Sequence, residues 1–212
     1  MSATVVNLRS SSAKRPRTQS GNLPPKRLPN KAVRGREYLT ADEVDKLINA
    51  AKNIGRHSNR DATMILIAYR HGLRVSELIA LRWDQVDLKQ GLLHVNRLKN
   101  GTPSTHPVRG PEIRALRRLQ REYADTPYVF VTERKGPLTA STVRKILARA
   151  GKEANLPCPA HPHMLRHACG YKLANDGHDT RAIQHYLGHK NITHTVRYTE
   201  LAANRFNGFW QD

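Results

Sequence analysis

Apolar positions recur at helical spacing from residue 40 onward. Thr40-Ala41-Asp42-Glu43 is a capping box, and Val44, Leu47, Ile48 and Ala51 follow on one helical face. A second, largely apolar helix is expected from Asn59 to His71, with Gly72 as its stop, and Ser76 opens a short third helix through Leu81. The period then changes. Val86 to Asn96 and Ser104 to Val108 read as strands, with Asn100-Gly101 as the hairpin turn between them, and Tyr128 to Val131 reads as another short strand. Helices follow at about 111–123, 140–154, 163–175 and 179–187, each bounded by Pro, Gly or Thr, and one or two short helices are expected within 192–211. No internal repeat is visible. The pattern predicts a mainly α domain with a small antiparallel β-sheet.

Residues 1–36 fall outside this pattern. Ser, Pro, Asn, Lys and Arg dominate them and large apolar groups are few, so they cannot bury enough surface to offset the entropy of ordering. They read as a disordered basic tail, with the folded region at 37–212. The length of 212 residues suits one domain plus such a tail.

Charge adds a partner to the picture. Thirty-six Lys and Arg against 17 Asp and Glu leave +19, and Arg outnumbers Lys by 24 to 12. A balance this basic favours a polyanion, and guanidinium grips phosphate bidentately where ammonium acts as a point charge. The excess is concentrated. Residues 1–36 carry +9, 88–121 carry +7 and 134–152 carry +6, so the remainder of the chain is at −3. The three blocks look like a footprint on an anionic partner. Two cysteines, Cys158 and Cys169, exclude a disulfide scaffold and suggest a reducing compartment. No apolar run approaches the ~18 residues of a membrane span, and MSATVVNLRS holds no signal-peptide core.

Candidate chemistry is densest in the last third, where seven of the eleven histidines fall between His161 and His194. His163 and Arg166 stand at i and i+3 at a helix start, so both project from one face. In Leu187-Gly188-His189, Gly188 fits a helix C′ position and His189 leads off a new segment; Tyr198 comes nine residues later. Far upstream, Arg74 in HGLRVSEL stands at a loop-to-helix junction just past a glycine, where a side chain can meet an anion. Two arginines, two histidines and a tyrosine suit phosphoryl transfer without metal. Two guanidinium forks can neutralise the charge that grows on a phosphodiester in its transition state. A phenol with a pKa of about 10 needs that cationic field and a base to attack at neutral pH. The leaving oxygen needs a proton, which Lys99, beside the Asn100-Gly101 turn, can give.

Arg74 in HGLRVSEL, Lys99 in the hairpin, His163 and Arg166 in HxxR, His189 in LGH and Tyr198 nine residues on resemble the catalytic set of the tyrosine recombinases, the phage-integrase family. The match covers roughly residues 37–205. The runs HPHMLRHACG, DTRAIQHYLGHKNITHTVRYT, NRFNGFW and RLKNGTPSTHP are further similar to the fimbrial phase-variation recombinases, which invert a promoter segment. The resemblance implies the tyrosine-recombinase catalytic-domain fold. It implies that Arg74 and Arg166 bind the scissile phosphate, Lys99 is the general acid, and His163 the general base or proton relay. His189 would hydrogen-bond a phosphate oxygen and Tyr198 would form a 3′-phosphotyrosyl bond. Glu77 matches an acidic position that supports the pocket in relatives. Neither metal, ATP nor other cofactor is implied. The partners implied are double-stranded DNA with inverted-repeat sites, four protomers in the synapse and accessory DNA-bending proteins, with no membrane and a cytoplasmic, nucleoid-associated location. Many relatives carry a separate N-terminal domain on the other face of the DNA; here a 36-residue basic tail is expected ahead of the catalytic region.

Other readings stay open at this point. An integrase or resolvase of a mobile element uses the same chemistry, a type IB topoisomerase a similar one, and a catalytically silent DNA-binding regulator shares the fold. His163 and His167 have the i, i+4 spacing of zinc ligands with His161 close by, but no acid occupies the HExxH position and no Cys pair stands nearby, so His161 and His167 read as packing and orienting residues. Cys169 reads as a buried small apolar residue. Phe206, Phe209 and Trp210 at i, i+3 and i+4 form a docking stripe, on the protein's own core or on a neighbouring protomer.

Overall fold

The structure, a computed structural model, describes residues 37–97, 101–200 and 202. The expected basic tail, Lys99, Asn100 of the expected turn, and the Phe206, Phe209, Trp210 stripe lie outside the described residues.

Helix α1, Ala41–Asn53, starts at the capping box: the Thr40 hydroxyl accepts from the Glu43 amide at 3.3 Å and the Glu43 carboxylate accepts from the Thr40 amide at 2.9 Å. Such a cap contributes about 1 kcal/mol. Its Val44, Leu47, Ile48 and Ala51 are buried as the spacing predicts. Helix α2, Ser58–Arg70, buries Met64, Ile65, Ile67 and Ala68 and packs on α1. The chain leaves α2 through Gly72 at φ +56, where a Cβ would collide with the Leu187 side chain, so a residue without one is required. Helix α3, Val75–Ile79, follows directly.

The expected strand over 86–96 is two strands. β1, Val86–Asp87, and β2, Leu92–Val95, pair antiparallel, Val86 opposite Leu93 and Asp87 opposite Leu92. Asp87 folds the chain back: its Oδ1 accepts from the Lys89 and Gln90 amides, both at 2.8 Å, and Gly91 at φ +69 completes the turn. β3, Ser104–Pro107, pairs antiparallel with β2, giving a three-stranded sheet in the order β1-β2-β3. Leu93 and Val95 face the core while His94 faces out. Tyr128 to Val131 forms no ladder. Single bridges tie Tyr128 to Arg82 and Val131 to Pro137, and Val129, Phe130 and Val131 are fully buried.

Four more helices complete most of the described chain: α4, Gly110–Glu122; α5, Ala140–Glu153; α6, Pro162–Asn175; and α7, Thr180–Leu187. α8, Thr193–Glu200, comes last. Asp179 caps α7 through the Arg181 and Ala182 amides, and Gly188 closes it at φ +65 as its C′ position requires. α6 is central. From Met164 to Tyr171 every side is covered, so it shows no polar face. The main core joins α1 to α6 around Leu47, Ile65, Phe130, Leu147 and Leu165, and a smaller cluster of Cys169, Tyr171, Ile183, Leu187 and Tyr198 fills the space between α6, α7 and α8. Among the described residues no helix is long and apolar enough to cross a membrane.

Candidate active site

Arg166 projects from α6 into the interior and is 2 % exposed. Its Nη1 donates to the Gly72 carbonyl and its Nη2 to the Leu187 carbonyl at 2.7 Å. One carbonyl lies in the turn that leads into Arg74, the other in the turn that leads into His189. A single guanidinium thus braces both turns. Burial, followed by the fields of Arg74 and Arg97, lowers its pKa to about 10, which still leaves it cationic at neutral pH.

Arg74 caps α3. Its amide donates to Glu77 Oε2 at 2.8 Å and its Nη1 to Glu77 Oε1 at 2.7 Å, and its side chain keeps partial exposure. Burial acts to raise the Glu77 carboxyl, but the Arg74 amide, the Arg97 charge and the Arg74 guanidinium together hold it below the usual carboxylate range. The carboxylate is therefore a fixed anion that orients Arg74, in keeping with the supporting role that the resemblance implies for an acid at this position.

Arg97 is a member of this cluster that sequence reasoning missed. Its side chain is fully buried; Nη1 donates to Glu77 Oε2 at 2.9 Å, and Nη2 donates to the Tyr186 carbonyl and, at 3.4 Å, to that of His71. Gly188 and Gly101 make room for it: a Cβ on Gly188 would lie 2.7 Å from Arg97 Cγ, and one on Gly101 2.7 Å from Arg97 Cβ. The available signal was the strand period. Leu93 and Val95 point inward, and Arg97 is the next position on that face.

His189 follows Gly188, and its backbone is held on both sides by Gln184: the His189 amide donates to the Gln184 carbonyl and Gln184 Nε2 to the His189 carbonyl, each at 3.0 Å. Its Nδ1 lies 2.8 Å from the hydroxyl of Thr195, a residue on α8 that is fully buried. Burial and then the fields of Arg166 and Arg74 push its pKa down to about 3, so the imidazole is neutral.

Tyr198 is 1 % exposed. Its ring stacks near that of His189, 6.3 Å between centroids, and meets Tyr171 edge-on at 5.0 Å. Gly170 on α6 supplies the space, since a Cβ there would lie 2.6 Å from Tyr198 Cε2. The phenol oxygen pairs with His167 Nδ1. Burial pushes the phenol up to about 12, against the lowering fields of Arg166 and Arg197. His163 stands at the exposed start of α6 with its ring edge-on to His167 at 4.4 Å. Desolvation and the charges of Arg166, Arg197 and Arg74 hold it below its usual pKa. His163 and Arg166 share a helix turn but not an environment, one at the surface and one inside. Arg74, His163, Arg166, His189 and Tyr198 thus lie in one electrostatically coupled cluster, while Lys99 falls among residues that are not described. The arrangement offers cationic N–H donors beside a buried phenol and neutral imidazoles, a set suited to holding a phosphate and moving a proton near it.

A model of the phage integrase family matches residues 37–205. The chain is 46 % identical over 182 residues to the type 1 fimbriae regulatory protein FimE of Escherichia coli K12, covering 83 % of this chain and 91 % of that protein. Among solved structures it is similar to the crystal structure of XerA recombinase, with TM-score 0.70 and 28 % identity over 85 % of this chain and 66 % of that one. The Tn1549 transposon integrase in complex with transposon right end DNA shares the fold, with TM-score 0.68 and 21 % identity over 76 % of this chain and 60 % of that one.

Proposed function

The chain belongs to the phage integrase family and is a tyrosine-type site-specific recombinase; from that premise we propose that Tyr198 is its nucleophile and that the reaction inverts a DNA segment flanked by inverted repeats. The phenol oxygen attacks the scissile phosphorus as the P–O5′ bond breaks, leaving a 3′-phosphotyrosyl link and a free 5′-hydroxyl. The phenol proton leaves to imidazole, with His163 as general base or relay, and Lys99 gives the 5′-oxygen its proton. Arg74, Arg166 and His189 take the non-bridging oxygens. Rejoining is the same step reversed with a 5′-hydroxyl from another strand. The energy of the broken bond stays in the phosphotyrosine, so the step consumes no nucleotide.

The observation that carries this reading is the double anchoring of Arg166. It ties the Arg74 turn to the His189 turn and adds its charge next to Tyr198. Such preorganised donors stabilise charge that develops on a phosphate without reorganising as it forms. Similarity to FimE over most of both chains supports inversion controlling fimbriae or a similar surface trait, rather than integration or excision. The net charge of +19 supports duplex DNA as the partner. Four protomers in the synapse and accessory DNA-bending proteins complete the proposal, with the basic residues of 1–36 adding phosphate contacts. Incubation with a nicked suicide duplex should yield a denaturation-resistant protein–DNA adduct whose linkage maps to Tyr198; an adduct at another residue, or none with a duplex that the protein binds, refutes the assignment.

A further inference from the structure

Thr195 has a hydroxyl and no exposure. Its Oγ1 lies 2.8 Å from His189 Nδ1, and among the described residues that imidazole is its one hydrogen-bonding partner. A helical threonine can instead back-bond to a carbonyl one turn earlier, but among the described residues Thr195 Oγ1 makes no such bond; the Ile192 carbonyl accepts the amides of Thr195 and Val196, at 2.7 and 3.0 Å. Among the described residues Nδ1 is thus the acceptor that the hydroxyl hydrogen can reach.

That direction has a chemical consequence. A neutral imidazole carries one N–H, and the bond made by one ring nitrogen decides which. With Nδ1 accepting from Thr195, Nε2 holds the proton and is a donor. With the proton on Nδ1 instead, Nε2 presents a lone pair, which a phosphate oxygen repels. The backbone that carries the ring is fixed, because Gln184 holds the His189 amide and carbonyl. We propose that Thr195 is a positioning residue whose hydroxyl donates to His189 Nδ1 and so fixes Nε2 as the nitrogen that donates to a non-bridging phosphate oxygen. The proposal rests on the reading of His189 as a phosphate donor. Thr195 also stands one turn before Tyr198 on α8, so the same helix that carries the nucleophile sets the tautomer of the group that holds its target.

The test uses full-length protein and a nicked suicide duplex carrying the site that the protein selects from a randomised pool. Thr195→Val keeps the shape and loses the hydroxyl; Thr195→Ser keeps the hydroxyl. Adduct formation should fall on the order of 10²-fold with Val, the scale for losing one oxyanion donor, and stay within a few-fold of the unaltered protein with Ser. On a duplex with a methylphosphonate at the scissile position the Val deficit should shrink as far as that of His189→Ala, because the charged oxygen is gone. A Val variant as active as the parent, or one equally impaired on both substrates, overturns the proposal. If His189→Ala costs nothing, the reading of His189 fails, and the proposal with it. Nitrogen-15 shifts of the labelled imidazole in the unaltered protein give an independent check: Nδ1 should be pyridine-like and Nε2 pyrrole-like, and the reverse assignment overturns the proposal without any variant.

Discussion

The phenol oxygen of Tyr198 lies 2.9 Å from His167 Nδ1, in surroundings that leave the tyrosine almost without exposure. Burial, then the charges of His163 and Arg197, push His167 down to about 3, so its imidazole is neutral beside the phenol. This bond ties the nucleophile candidate on α8 to the helix that carries Arg166. His163 stands edge-on to the same ring, nearer the surface. The three side chains lie in contact in that order, from the buried phenol out to the exposed start of α6.

Replacing Tyr198 with Phe should abolish the covalent adduct while leaving DNA affinity unchanged. The phenol oxygen is the proposed nucleophile, and its removal leaves only His167 Nδ1 without its partner. The stability cost should be about 1–3 kcal/mol, the usual range for one buried unsatisfied group. Denaturing gels of suicide-substrate reactions, with urea melts of both proteins, measure the two effects. An adduct that persists with Phe at 198 removes the residue from the mechanism.

Gly170→Ala should impair cleavage more than binding. A Cβ at 170 falls 2.6 to 2.8 Å from three atoms of the Tyr198 ring, so the ring has to move. Overpacking of this kind typically costs about 1–3 kcal/mol. The expected result is a clear drop in adduct rate at unchanged affinity for duplex DNA. Equal rates for Ala and Gly would mean that the position of the ring has no bearing on attack.

The helices are legible in the sequence because their apolar periods and caps are local. Thr40 and Glu43, Asp179 and Gly188 each act within one turn. The candidate cluster is legible as spacing: His163 to Arg166, and His189 to Tyr198. What spacing does not show is the set of hydrogen bonds that hold those residues. Arg97 meets Glu77 from 20 positions away and the Tyr186 carbonyl from 89, and Arg166 meets the Gly72 carbonyl from 94. Gly170 reads as an ordinary helix residue until Tyr198 is packed against it. The single strand expected over 86–96 fails for a different reason. Apolar residues on both sides of the turn hide it, although Asp87 and Gly91 are turn signals.

Removing residues 1–36 should lower the salt dependence of DNA binding. The segment carries nine basic residues and no acid. Each phosphate of duplex DNA that is no longer neutralised reduces the slope of log K against log salt by about 0.9. A fall of a few units, with the largest drop in affinity at low salt, is the expected outcome of a titration comparing the two proteins. Identical slopes would show that the segment neutralises no phosphate.

Stability should decline as pH falls below the unfolded histidine value of about 6.5. His106, His167 and His189 each have a folded pKa of about 3, driven first by burial. The unfolded chain therefore takes up protons between about 6.5 and 3 that the folded chain refuses, and stability rises with pH across that window. His106 is the most isolated of the three from the candidate site, held between His71, Ser104 and Tyr186. Urea midpoints measured from about pH 7.5 down to 5 should show the decline, and His106→Gln should flatten it. An unchanged slope in that variant would mean that His106 protonates in the folded protein as readily as in the unfolded one.

The Arg97–Glu77 pair offers a way to separate stability from site geometry. Both side chains are buried, and Glu77 divides its oxygens between Arg97 and Arg74. Arg97→Met leaves Glu77 with half its compensation, and breaking a buried pair from one side costs about 3–5 kcal/mol. Arg97→Lys restores a charge but not the fork that reaches Glu77 and the Tyr186 carbonyl together, so it should recover only part of that deficit. Adding Glu77→Gln to Arg97→Met removes the uncompensated charge. The double variant should then be more stable than Arg97→Met alone, a positive coupling visible in a double-mutant cycle of urea melts. Activity should not follow. Without the carboxylate, nothing charged holds the Arg74 amide and guanidinium in place, so adduct formation should stay low in the double variant even where folding is recovered. Recovery of both together would reduce the pair to a packing element. Recovery of stability alone would place Glu77 and Arg97 behind Arg74 as the groups that keep it aimed at the phosphate.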